Sequence, residues 1–469
     1  MEWKLGEIAR LAGGVILVGD HALMCSDPVW DSRRVTAGAI FVPLRGENAD
    51  GHAYLHDAWR RGAVASFVRS DYTGAIPAGM AVVEVVDPLI ALQQWARAYL
   101  QTLPAKVVAV TGSIGKTSTK EMIAAMLSTR YRVGKTKGNL NTEMGLPQTV
   151  LQATPDLDVL VLEMGMRGPG EILELTSIAP PEVAVITNVG VSHIELLGSR
   201  ENIARAKGEI LQGMHSDGVA VLNGDDELVT GQARRAPGQV IWFGQKRRDR
   251  DGALWADEVA DSGDSLRFVV HFGDSALSVS IPWPGQHNLN NSLAAMAVGL
   301  ALGMSLPECV QGLANYRPAD NRLNLRQTPR GVLLIDDTYN AGPDSVRAAL
   351  QVLATYPRGE RRIAVLGDML ELGDLAPAAH GEVGNVVASL HLDGLVTVGE
   401  LGALIAQSAA EAGLPAGRIA SFSDNDAVIA HLEQSLQPGD LVLVKGSRGM
   451  RMEEIVWHFM GDRGAEHDH

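Results

Sequence analysis

The chain is predicted to be an α/β protein of three domains, and three features of its pattern predict it. Short continuous runs of Val, Leu and Ile alternate with stretches of helical periodicity, which is how a parallel sheet covered on both faces reads. That alternation halts near residue 316 and starts afresh, so two such sheets are expected. Ahead of both lies a smaller α/β unit that ends at Asp87-Pro88. The expected domains are therefore 1–86, 87–316 and 317–469.

The first domain holds "GAIFVPLRGENADGHAYLHDA", "AVASFVRS" and "AVVEVVD". After Asp87-Pro88, "LIALQQWARAYLQ" has the apolar spacing of a helix. In the central domain the strand candidates are "KVVAVTG", "DLDVLVLEMG", "PEVAVITNVG", "DGVAVLNGDD" and "QVIWFG", and "KTSTKEMIAAMLST" is a helix. Between 252 and 281 the pattern changes. "SLRFVVHF" and "ALSVSIP" alternate cleanly and predict an antiparallel hairpin at the sheet edge. "GQHNLNNSLAAMAVGLALG" is then a helix entered through polar residues. The last domain repeats the scheme with "GVLLIDD", "RRIAVLGD", "GLVTVGE", "RIASFSD" and "DLVLVKG" as strands between five helices, a doubly wound, Rossmann-like unit. The tail "GDRGAEHDH" lacks periodicity and is expected to fray.

Composition narrows the class. Apolar residues make up 46% and charged residues 20%, an ordinary globular balance. No apolar run approaches the ~18 residues of a membrane helix, and the N-terminus has no signal-peptide pattern. Cys25 and Cys309 are too few for a disulfide framework or a cysteine zinc site, so a reducing cytoplasm is the expected setting. Lys plus Arg is 40 and Asp plus Glu is 55, a net charge of −15 that argues against general nucleic-acid binding. Small anions remain possible where cations concentrate, as in "RYRVGKTKGN", residues 130–139. A monomer is expected.

One such anion site is "AVTGSIGKTST", residues 109–119, where a strand runs into a helix through Gly112, Ser113 and Gly115. The common phosphate loop is G-x-x-x-x-G-K-[ST], but Val110 stands where its first glycine belongs. Strand, glycine turn and helix N-terminus still supply backbone N–H groups to a phosphate. Lys116 would bridge the β- and γ-phosphates, and Thr117, beside Ser118, would offer its hydroxyl to Mg²⁺. Glu163 ends the strand "DLDVLVLEMG" at the edge where ligands bind in open α/β sheets, and a carboxylate there suits Mg²⁺.

"TGSIGKTS" resembles the shortened loop of the Mur ligase family, ATP-dependent amide-forming ligases of peptidoglycan precursor synthesis, which accounts for Val110. Further segments are similar in the same order. The resemblance implies that Glu163 and His193 of "TNVGVSHIELLG" hold metals. It implies that Lys207 of "NIARAKGEI" reacts with CO₂ to give a carbamate, an oxygen donor for a second Mg²⁺. "GNLNTEMGLP" places Asn139 and Asn141 near phosphate or the acyl substrate. "GQHNLNNSLAA" places Asn288 and Asn291 one turn apart for adenine. "NRLNL" and "IDDTYNAGP" bring Arg322 to phosphate, Asp337 to the ribose, and Tyr339 and Asn340 beside them; Gly342 stands where the family often has Asn.

Within the family, "DSRRVTAGAIFVPLRGENADGH" resembles a uridine-nucleotide-binding domain, with Ser32, Arg33 and Arg45 near the UDP-sugar. "LGDMLELGDLAPAAHGEVG" resembles the members that add D-alanyl-D-alanine to UDP-N-acetylmuramoyl-tripeptide, while no DNPR-type motif of the tripeptide-forming members is present. Asp368, Lys445 and Ser447 are candidates for the dipeptide pocket. The rivals are a tripeptide-forming synthetase of the same family and a P-loop regulatory ATPase.

Overall fold

A computed structural model describes residues 1–46, 49–246, 252–318 and 321–461. The tail from residue 462, and residues 47 and 48 of the predicted nucleotide-sugar segment, lie outside them.

Three α/β sheets carry the fold. The first has five strands in the order Val15–Val18, Ala81–Val85, Ala65–Arg69, Ile40–Phe41, Pro28–Val29. The central sheet has nine, in the order Ser275–Ile281, Leu266–Phe272, Ala253–Asp261, Gln239–Gly244, Val219–Asn223, Val183–Ile186, Lys106–Thr111, Val159–Glu163, Val133–Lys135. From Ala253–Asp261 to Val133–Lys135 the pairings are parallel, and the expected antiparallel pair folds onto the other edge. The third sheet has six strands, Asn324–Gln327, Leu333–Asp336, Leu441–Lys445, Arg362–Gly367, Gly394–Val398 and Ile419–Phe422, parallel except for its first member.

The short strands Val133–Lys135 and Asn324–Gln327 were not expected. Three residues around a glycine, and four of which three are polar, carry no readable periodicity. Long-range pairing alone makes them strands.

Along Lys106–Thr111 successive side chains enter different cores. Val107 and Ala109 join the cluster shared with the N-terminal sheet. Val108 and Val110 join the cluster under the helices Lys116–Leu127 and Gln286–Ala301. A strand buried on both faces needs this unbroken apolar run.

The helix Pro88–Leu100 links the first two sheets. Its Trp95 is fully buried and meets Trp3 edge-on at 5.3 Å. Leu92 and Ala96 share one core with Phe67 of the first sheet and with Val150 of the helix Gly145–Leu151. Packing is therefore continuous across residue 87. Asp87 caps this helix, accepting from the N–H of Leu89 at 2.8 Å and of Ile90 at 3.1 Å. Asp87→Ala is expected to cost about 1 kcal/mol, read as a lower urea midpoint with an unchanged slope. Among the described residues, no helix is long and apolar enough to cross a membrane.

Candidate active site

Register puts the chemistry at one level. Glu163 pairs with Val110, and Ile186 with Thr111, so three parallel strands end side by side. The strand carrying the phosphate loop lies between the other two. Their carboxyl ends open onto a cleft of about 1410 Å³, whose far wall comes from the C-terminal domain.

The loop Gly112–Gly115 owes its shape to its glycines. The strand runs through Thr111. Gly112 has φ +153°, and a Cβ there would sit 1.8 Å from Thr187 Oγ1. Gly115 has φ +82°, and a Cβ would sit 2.5 Å from Asn291 Oδ1. Neither position admits a side chain, whereas Val110 is an ordinary buried strand residue.

Two residues absent from the sequence reading pin the loop. Thr187 Oγ1 donates to the carbonyl of Ile114 at 2.7 Å, and Asn188 Nδ2 donates to the same oxygen at 2.9 Å. Asn188 Oδ1 accepts from the Ile114 N–H at 2.9 Å. Their signal was positional: both directly follow the strand Val183–Ile186. Ser113 Oγ is buried in the loop and has no hydrogen-bond partner. An orphaned hydroxyl at this point suits a phosphate oxygen.

Lys116 opens the next helix and donates back to the Gly112 carbonyl at 2.8 Å, which points its amine into the loop. Burial lowers its pKa, the nearby Glu163 opposes that, and Arg322 reinforces it. An arriving polyphosphate would favour the charged form of the amine. Thr117 Oγ1 donates to Glu163 Oε2 at 2.9 Å, and Asn141 Nδ2 donates to Glu163 Oε1 at 2.8 Å. Lys120, one turn after Lys116, is 1% exposed and stands 3.8 Å from Glu163 Oε2. It also donates to the Thr136 carbonyl at 2.8 Å. Sequence reasoning missed Lys120, although its i+4 spacing from Lys116 was visible.

Arg322 reaches across the cleft. Its Nη2 donates to Thr117 Oγ1 at 3.0 Å, and its guanidinium lies 4.1 Å from the Tyr339 ring centroid. Among the described residues, Arg322 Nε is buried without a partner, a second orphaned donor beside the loop. Asp337 is paired with Lys445 at 2.6 Å, and Lys445 also donates to the Asn340 carbonyl at 2.9 Å. Asn288 donates to the Pro284 carbonyl at 2.7 Å, and Asn291 accepts from Thr119 at 3.1 Å. The amides line the cleft, but those bonds already tie the helix in place. Ser118 bonds the buried Tyr316 hydroxyl, whose pKa burial pushes up to about 12.

His193 adopts a left-handed conformation, φ +63°, and its Nδ1 lies 2.8 Å from Glu371 Oε2 of the C-terminal domain. Burial lowers the imidazole pKa, and Glu371 counters. Lys207 is 1% exposed, within electrostatic reach of both His193 and Lys116. No carboxylate pairs with it among the described residues. Burial first, and the Lys116 charge second, push its amine well below the ordinary lysine range.

The structure brings Ser113, Gly115, Lys116, Thr117, Ser118, Asn139, Asn141, Glu163, His193, Asn288, Asn291, Arg322, Asp337, Tyr339, Asn340 and Lys445 to one cleft. Lys207 sits beneath it. Asp368 and Ser447 do not reach the cleft wall. Asp368 accepts from the Gly402 N–H at 2.7 Å, and Ser447 Oγ bonds Leu370 N and the Ala341 carbonyl, so both are spent on loop packing. Ser32 is buried, while Arg33 is exposed and paired with Asp31. Arg45 is exposed and bridges backbone-to-backbone with Asp50. These three lie on the N-terminal domain, outside the cleft lining.

Comparison with known proteins agrees with this geometry. Residues 110–299 match the Mur ligase middle domain, and residues 321–448 match the Mur ligase, glutamate ligase domain. The chain is 40% identical over 429 residues to the UDP-N-acetylmuramoyl-tripeptide--D-alanyl-D-alanine ligase of Bacillus subtilis, covering 91% of each chain. It is 35% identical to the ligase of that name from Escherichia coli, covering 91% of this chain and 92% of the other. A crystal structure of MurF from Acinetobacter baumannii superposes with a TM-score of 0.88 at 32% identity, covering 98% of this chain and 99% of that one. MurF ligase from Thermotoga maritima, solved in complex with ADP, superposes with 0.80 at 31% identity, covering 93% and 97%. The loop that departs from the common phosphate-binding pattern, its partners on neighbouring strands and these similarities agree: the chain belongs to the Mur ligase family.

Proposed function

We infer that this chain is an ADP-forming ligase that joins D-alanyl-D-alanine to UDP-N-acetylmuramoyl-tripeptide, giving the pentapeptide precursor of peptidoglycan. The observation that carries the reading is the convergence of Lys116, Glu163 and His193 with Arg322 and Asp337 of another domain on one cleft. A regulatory ATPase has no need of His193, a buried unpaired Lys207 or an N-terminal nucleotide-sugar domain.

In the proposed reaction the tripeptide's terminal carboxylate attacks the γ-phosphorus of ATP and expels ADP. The dipeptide amine then attacks the carbonyl of the acyl phosphate, and the tetrahedral intermediate collapses to amide and phosphate. No bond to the protein forms, so the protein contributes position and charge. Lys116 and Arg322 neutralise the repulsion between a carboxylate and a triphosphate. This is how a chain of net charge −15 can host several anions. Asn139 and Asn141 would orient the acyl end, Asn288 and Asn291 the adenine, and Asp337 with Tyr339 and Asn340 the ribose side. Ser32, Arg33 and Arg45 would face the UDP-sugar.

The residues present fit Mg²⁺. Thr117 and Glu163 offer adjoining oxygens, the donors a hard cation takes. Among the described residues, no three of His, Cys, Asp and Glu gather into a metal cage. The ion would be held by those two oxygens, with phosphate and water completing its shell. Bound there, it would neutralise charge on the transferred phosphoryl group. His193 and a Lys207 carbamate would hold a second ion. The neutral amine of Lys207 can attack CO₂, forming N–C and releasing one proton.

The test is product mass after incubation with UDP-tripeptide, ATP and D-alanyl-D-alanine. One pentapeptide, one ADP and one phosphate are expected per turnover. ATP hydrolysis that ignores both other substrates would instead favour the regulatory ATPase, and ligation of a free amino acid to a dipeptide precursor the tripeptide-forming synthetase.

A further inference from the structure

The cleft has one carboxylate on its C-terminal wall that nothing cationic claims. Three acidic residues of that domain line the cleft, Asp337, Asp344 and Glu371. Asp337 is paired with Lys445, and Asp344 with Arg347. Among the described residues, the nearest polar group to the Glu371 carboxylate is His193 Nδ1 at 2.8 Å, a contact without hydrogen-bond geometry, and the Glu371 side chain stays 50% exposed.

Its backbone is placed deliberately. Glu371 has φ +63°, a conformation that costs a residue with a side chain and persists where surroundings impose it, often at functional sites. Two residues on, Gly373 also has positive φ, and a Cβ there would meet Glu195 Cγ at 3.1 Å. The 370–373 turn is thus pressed against the helix Ile194–Leu197, directly after His193. Two non-glycine residues in left-handed backbone, from two domains, face each other at the floor of the cleft.

We propose that Glu371 is the positioning residue that receives the ammonium group of the incoming dipeptide. This rests on the ligase reading above. The acceptor arrives as a zwitterion, so its ammonium must be held beside a carbonyl already crowded by anions and must release one proton to solvent before its lone pair can attack. Glu371 offers an exposed carboxylate next to His193, at the junction of the two domains, and the ammonium takes the place of the imidazole. Asp368, three residues earlier, is buried and lies outside the cleft lining, with one of its oxygens accepting from the Gly402 N–H.

The test compares wild type, Glu371→Gln and Glu371→Asp with two acceptors, D-alanyl-D-alanine and hydroxylamine. Hydroxylamine is neutral at neutral pH and traps the acyl phosphate as a hydroxamate without needing an ammonium site. In Glu371→Gln, KM for the dipeptide is expected to rise roughly thirty-fold, the loss of one charged hydrogen bond. KM for ATP, half-saturating Mg²⁺ and hydroxamate formation should stay as in wild type. Glu371→Asp should recover part of the dipeptide affinity, and calorimetric titration of the dipeptide should follow the same order. An unchanged dipeptide KM overturns the inference. So does a raised Mg²⁺ requirement at constant dipeptide KM, which would make Glu371 a metal-side group, or an equal fall with both acceptors, which would make it structural. A wild-type protein that forms neither hydroxamate nor pentapeptide would overturn the ligase reading itself, and this inference with it.

Discussion

Lys116→Ala is expected to lower kcat by roughly three orders of magnitude while leaving the fold intact. Lys116 is the cation aimed into the loop by the Gly112 carbonyl. Losing it removes charge where the triphosphate and the attacking carboxylate would meet. The stability change should be small, because burial already opposes the charged amine and its hydrogen bond is to one backbone oxygen. Lys116→Arg separates charge from geometry. A planar, longer guanidinium cannot enter a loop closed by Gly112 and Gly115, so arginine should restore little. Steady-state kinetics together with the thermal midpoint check both points. Near-wild-type turnover by the alanine variant would remove the phosphate role.

Lys207→Met is expected to do two things that pull apart. Activity should fall about a hundredfold or more, because the carbamate proposed above could no longer form. Stability should rise by about 1–3 kcal/mol, because a desolvated amine gives way to an apolar side chain of similar volume. That is several degrees in midpoint for a domain of this size. The sign follows from linkage. The folded amine's pKa is depressed by burial, so between that value and the ordinary 10.5 the unfolded chain holds a proton that the folded chain lacks. Stability of the wild type therefore climbs with pH across that window and is lowest on its acid side. The methionine variant should flatten that slope. Denaturant melts at several pH values read it directly, and magnetic resonance with isotope-labelled bicarbonate should show a carbamate signal in wild type alone. A variant less stable than wild type at neutral pH would mean that Lys207 is satisfied by a partner in solution.

Most strands were legible because burial on both faces demands unbroken apolar runs, as in "VVAV" or "LVLV". The glycines of "TGSIGKT" were legible because a left-handed turn against a neighbouring strand excludes side chains. Glu163 drew notice as the last residue of its strand, but it, His193, Arg322 and Asp337 were singled out as site residues by resemblance. What stayed hidden were the partners. Thr187 and Asn188 are ordinary residues until the register sets them beside Ile114. Asp368 is one acid in a readable motif, and only folding sets it outside the cleft lining with one oxygen on the Gly402 N–H.

The sequence by itself determined the order of strands and helices, the shortened phosphate loop and the type of each reacting group, since these follow from local periodicity and local stereochemistry. Tertiary structure alone decided which groups share a site. Lys207 is an ordinary helical lysine until packing buries it with no counter-ion among the described residues. Glu371 is one acid among many until its turn meets His193 from another domain. Desolvation and long-range contact are properties of the folded chain, and no run of neighbouring residues encodes them.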